Sequence, residues 1–119
     1  MVKIKLYHNI LLNKDEVNEK QSWAVAKYEL QHVATSRYDV LMEDVDDNYI
    51  LEQVWEASNN GVPGRIPIWT DNAWWDMVDV RGCRSTMVGD RVLLQRDDKE
   101  PKCYEVAGVG WTEVSAVPV

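Results

Sequence analysis

Arg91-Val92-Leu93-Leu94-Gln95-Arg96, Asp97-Asp98-Lys99-Glu100-Pro101 and Lys102-Cys103-Tyr104-Glu105-Val106 read in order as strand, turn and strand. Each flank is a short apolar run of the kind a half-buried strand carries, and the five residues between them are polar and end in proline. Val92 and Leu94 face one side, and Tyr104 and Val106 can answer them across an antiparallel ladder. This pair predicts a C-terminal β-hairpin, and the rest of the chain is read outward from it.

Immediately upstream, Val88-Gly89-Asp90 reads as a tight turn that launches the strand. Glycine supplies a backbone angle that other residues resist, and aspartate bonds its own backbone, so Gly89 is expected to have a positive φ. Downstream, Trp111 to Val114 reads as a last short strand.

Further upstream, Asp47 to Ser58 is the clearest helix. Leu51, Val54, Trp55 and Ser58 recur at i, i+3, i+4 and i+7, and Ile50 and Ala57 widen the stripe. Asp44, Asp46, Asp47 and Asn48 offer an N-cap and place negative charge at the positive end of the macrodipole. Asn59-Asn60-Gly61 supplies the stop. Leu51, Val54 and Trp55 are therefore expected to bury one helix face.

Lys3 to Leu12 reads as the first strand, with Ile4, Leu6, His8 and Ile10 on one face. A polar turn follows at Asn13–Glu16. Ser22 to Leu30 reads as a second strand, its alanines leaving a helix open, and Arg37 to Glu43 as a third. Gly61 to Trp69, with two prolines and two glycines, reads as a loop. Thr70 is placed to cap a short helical turn through Trp74, Trp75 and Met77. The sum is one α+β domain over residues 1–119: a single, mostly antiparallel sheet, one main helix on one face, and the C-terminal hairpin.

Composition narrows the function classes. The chain has 119 residues, 45% of them apolar, enough for one core. No apolar run reaches the roughly 18–20 residues of a membrane span, and the start lacks the apolar segment of a secretory signal, so a cytoplasmic protein is expected. Net charge is −7. Between Asp39 and Asp79 ten carboxylates meet one basic residue, Arg65, a local net of −9. Such a surface is a poor ligand for nucleic acid or anionic membrane, because phosphate binding needs clustered Lys and Arg.

Catalytic patterns are sparse. There is no GxSxG, HExxH or glycine-rich phosphate loop. Cys83 and Cys103 stand nineteen residues apart with no Cys-x-x-Cys, and with His8 and His32 they are too scattered for a zinc set. Cys83 lies near Arg81 and Arg84, which would favour a thiolate if they converge. His8, in mid-strand, reads as a packing residue before a base. No catalytic, metal or cofactor residue is assigned.

Arg84-Ser85-Thr86-Met87-Val88-Gly89-Asp90-Arg91-Val92, followed by Tyr104 and Gly110-Trp111, resembles the YodL-like family of small phage and bacterial proteins. That family carries a segment close to R-S-L-S-V-G-D-V-V ahead of a hairpin. Leu51, Val54, Trp55 and Asn59 resemble its upstream helix, and Tyr7-His8-Asn9 is similar to the opening strand of a related phage set. The chain departs from the pattern at Thr86-Met87, at Arg91 and in the Gly61–Trp69 loop. The family is largely uncharacterised, so the resemblance implies a phage or mobile-element accessory protein and carries over no catalytic residue.

A non-enzymatic module that binds a host bacterial protein, one with a basic surface, is therefore expected. Its partner surface is placed on Trp69, Trp74 and Trp75 with Asp71, Asp76, Asp46 and Asp47. Trp23, Trp55 and Trp111 are assigned to the core, which leaves the loop indoles hard to bury, and exposed Trp dominates interface hot spots. The alternatives are an acidic nucleic-acid mimic that occupies a DNA-binding or defence protein, and a small enzyme.

Overall fold

The computed structural model describes residues 2–37, 45–59, 74–79, 84–97 and 99–115. Six strands form one sheet: β1 (Val2–Leu11), β2 (Tyr28–Ser36), β3 (Trp75–Met77), β4 (Arg91–Arg96), β5 (Lys102–Val106) and β6 (Trp111–Val114). Their order is β3-β2-β1-β4-β5-β6, and every neighbouring pair is antiparallel. Two helices accompany them, α1 (Lys14–Lys20) and α2 (Asp47–Ala57). The chain is thus α+β and mostly sheet.

The main core forms where α2 meets one face of the sheet. Val2, Ile4 and Leu6 of β1, Val92 and Leu94 of β4 and Ala34 of β2 meet Ile50, Leu51 and Val54 of α2, and Trp75 closes the cluster. The spacing of Ile50, Leu51 and Val54 gives α2 one apolar stripe, and period-2 alternation gives β1 and β4 theirs. A smaller cluster of Tyr7, Leu93 and Cys103 includes the alternate residues of these strands. Both clusters draw on β1 and β4, which is why the successive residues Leu6 and Tyr7 are both buried, while His8 is buried beside Thr86 and Asp90.

The alternation expected along β1 is broken in its pairing with β2. Leu6 pairs with Ala34 but Tyr7 with His32, so Val33 is an extra residue on β2. The bulge resets which β2 side chains face the core.

Several local expectations are corrected. Asn13–Glu16 is not a simple turn: Asn13 precedes α1, which ends at Gln21 with a left-handed backbone, φ 49°. Asn13 instead ties down the return of the chain, accepting from Lys27 N at 2.8 Å and donating to Val25 O at 2.7 Å. Ser22–Leu30 is not one strand: a single 3-10 turn covers Trp23–Val25, and β2 begins only at Tyr28. Trp75–Met77 is a strand and not a helical turn, since it pairs with Ala34–Ser36 at the sheet edge. The expected strand Arg37–Glu43, apart from Arg37, lies outside the described residues, as do Gly61–Trp69 and Thr70.

The indoles also change places. Trp55 is 37% exposed and is not a core residue, whereas Ile50 takes the expected third place on the buried helix face. Trp23 is 71% exposed, and Trp75 only 1%. Gly89 has φ +93°, the positive value expected of it.

Candidate functional site

The expected partner surface separates into unlike parts. Trp69 and Asp71 lie outside the described residues. Trp75 is corrected to a core residue: its ring is buried, and its Nε1 donates to Ala57 O at 2.9 Å, joining β3 to the end of α2. A partner cannot reach it without unpacking the main core. Trp74 is half-buried, packs on the same core, and sits edge-to-face on Trp75 with centroids 5.3 Å apart.

The acidic residues are engaged within the chain. Asp46 caps α2, accepting from Tyr49 N at 2.9 Å. Asp47 accepts from Arg96 at 2.7 Å and from the Tyr104 hydroxyl at 2.5 Å. Burial alone would raise the Asp47 pKa, but these donors outweigh it and hold the carboxyl below its usual value. The same burial, with Asp47 beside it, pushes Tyr104 well up. Asp76 is exposed and pairs with Arg37 at 3.1 Å. A cavity of about 510 Å³ opens over Asp47, lined by Asp46, Arg96, Lys99, Glu100 and Lys102. Three cations and three carboxylates line it, so it carries no net charge preference.

Among the described residues a dense polar cluster forms within Arg84–Asp90 and the adjoining Asn9. Arg84 makes a bidentate contact with Asp90, at 2.6 and 2.9 Å, and also donates to Asn9 O and Ser85 O. Asp90, fully buried, accepts further bonds from Asn9 N and Met87 N, both at 2.8 Å. Met87 O accepts from Asp90 N across Val88-Gly89, and a positive φ at the third residue is the mark of a type II turn. Arginine, glycine and aspartate at this spacing therefore build the corner that enters β4.

His8 approaches this cluster with Nε2 3.2 Å from Thr86 Oγ1 and 3.7 Å from Asp90 Oδ2. A hydroxyl, an imidazole and a carboxylate invite comparison with a nucleophile triad. In a triad, however, the hydroxyl and the carboxylate bond opposite ring nitrogens. Here both crowd Nε2, and Thr86 is buried. Burial lowers the His8 pKa to about 4, with Asp90 opposing and Arg84 assisting, so the ring is neutral at pH 7. This is the packing histidine expected of a mid-strand position. Cys83 lies outside the described residues. Cys103 is a free, buried thiol whose pKa burial raises. Among the described residues no His, Cys, Asp or Glu group has the arrangement to hold a metal ion, and no helix is long and apolar enough to cross a membrane.

Large apolar side chains also reach the surface. Leu12, Trp23 and Tyr28 are each exposed in the β1–β2 connection. The 3-10 turn holds Trp23 in place: Ser22 accepts from Ala24 N, and Trp23 O accepts from Ala26 N. Leu12 N donates to Lys27 O at 2.8 Å, which extends the β1–β2 ladder by one step beyond the Leu11–Tyr28 pair. Sequence reading missed this site because alanines at 24 and 26 mimicked strand alternation. The available signal was Ser22 as a cap ahead of Trp23.

No family model, curated protein or solved structure matches the chain.

Proposed function

We propose that the chain is a non-enzymatic, phage-type accessory protein that acts in the cytoplasm of a bacterial host by binding a host protein. The observation that carries this reading is Trp23, 71% exposed on a hydrogen-bonded turn, with Leu12 and Tyr28 also exposed in the same β1–β2 connection. An indole held in water by its own backbone is a large apolar anchor already ordered for binding, and Trp is enriched among interface hot spots. The resemblance of Arg84–Val92 to the YodL-like segment supports the phage-type part. Membership of that family is itself part of the proposal.

The mimic reading has less support, because Asp47 and Asp76, two of the acids it needs, are paired with Arg96 and Arg37.

The test is affinity capture from a bacterial lysate by the full chain and by Trp23→Ser, read by mass spectrometry. A host protein retained by the parent and lost by the variant, at an unchanged thermal midpoint, is the expected result. Equal capture by both ends this assignment of the surface.

A further inference from the structure

A second surface has a different chemistry. A cavity of about 230 Å³ lies between α2 and the β5–β6 turn. Trp55 and Trp111 wall it, Val88, Val106 and Ala107 give it an apolar lining, and among the described residues Glu52 is the one charged group that lines it. The two indoles stand edge-to-face, with centroids 6.5 Å apart and planes at 87°. Trp55 keeps 37% of its surface open, although a neighbouring indole was available to cover it. Glu52 precedes Trp55 by three residues, Glu56 follows Glu52 by one turn, and α2 contains no basic residue. The mouth is therefore negative, and among the described residues of the lining no cation offsets Glu52.

Indole faces attract cations, most strongly where water is partly excluded. Arginine combines an apolar stem with a flat, weakly hydrated guanidinium that stacks on aromatic rings and pairs with carboxylates. Apolar lining, indole walls and one carboxylate match that side chain part for part. We propose that this cavity receives an arginine side chain of a partner protein, its guanidinium held between the perpendicular indoles of Trp55 and Trp111, stacked flat on one of them, and paired with Glu52. The inference rests on the interaction-module reading and gives the partner a chemistry, at a surface separate from Trp23.

The test uses the full chain with ¹⁵N-labelled indoles, titrated with N-acetyl-arginine amide. N-acetyl-citrulline amide serves as the uncharged isostere. Saturable shifts at Trp55 and Trp111, absent with citrulline, are expected. Glu52→Gln should weaken the binding by about two- to five-fold, the scale of one exposed ion pair. Trp55→Leu should abolish it, and because Glu52 is on the solvent face the Gln variant decides the matter even if the Leu variant does not fold. Three results overturn the proposal: no saturable shift, equal shifts with citrulline, or unchanged affinity in Glu52→Gln. The probe is read without any partner. Failure here with Trp23-dependent capture intact removes the arginine pocket alone, whereas arginine binding without capture removes the host-protein reading.

Discussion

Asp90 accepts from Asn9 of β1, from Met87 of the turn and from Arg84, so one buried carboxylate joins three stretches of chain. The turn it closes depends on Gly89. A Cβ there would meet only Asn9 Nδ2 at 3.6 Å, an ordinary contact, so space is not the constraint; φ +93° is. Gly89→Val is expected to cost about 1–3 kcal/mol through backbone strain. Gly108→Ala, where nothing lies within 4 Å, serves as the control, and urea melts compare the two. His8 adds a pH dependence. Its pKa falls from 6.5 to about 4 on folding, so between those values the unfolded chain binds the extra proton. Stability is then full above pH 6.5 and falls on acidification, by up to about 1.4 kcal/mol per pH unit within the window. His8→Gln should flatten that slope in melts taken from pH 6.5 to 4.5. An unchanged slope would assign it to other groups.

At the scale of elements, α2 is fastened at both ends. Asp47 meets Arg96 and Tyr104 of the sheet at its start, and Ala57 O accepts the Trp75 indole at its end. Trp75 therefore contributes both a buried ring and a hydrogen bond that the helix end would otherwise lack. Trp75→Ala is expected to destabilise by about 3–5 kcal/mol, as large core truncations do. Trp55→Ala, at a ring 37% exposed, should cost clearly less in the same chemical-denaturation series. Equal losses would mean that the helix face is misplaced.

Across the whole molecule, the net charge of −7 and the exposed apolar groups make separable contributions. A net acidic charge repels like-charged molecules and attracts basic surfaces, an effect that salt screens. Contacts made by Trp23, Leu12 and Tyr28 are apolar and are not screened. Capture through this surface should therefore persist from about 0.1 to 0.5 M salt, whereas a nucleic-acid mimic should lose orders of magnitude of affinity over that range. Trp23→Ser, a surface change, should move stability by no more than about 0.5 kcal/mol. A steep salt dependence of the capture would return the weight to the acidic segment.

Local features were legible in the residues of each stretch alone. The strands Arg91–Arg96 and Lys102–Val106, the helix from Asp47 and the positive φ of Gly89 follow from period-2 and period-3.6 patterns and from turn chemistry, each set within a few residues. Which indoles are buried depends instead on how separate elements pack. Trp75 is covered because β3 brings it against the end of α2, 18 residues earlier in the chain, while Trp23, on the 3-10 turn between α1 and β2, stays 71% exposed. The bulge at Val33, the bonds that tie the Arg84–Asp90 corner to Asn9 of β1, and the meeting of Trp55 with Trp111 are likewise products of pairing between distant segments. Burial is a property of what a residue packs against, and no single stretch of chain contains both partners.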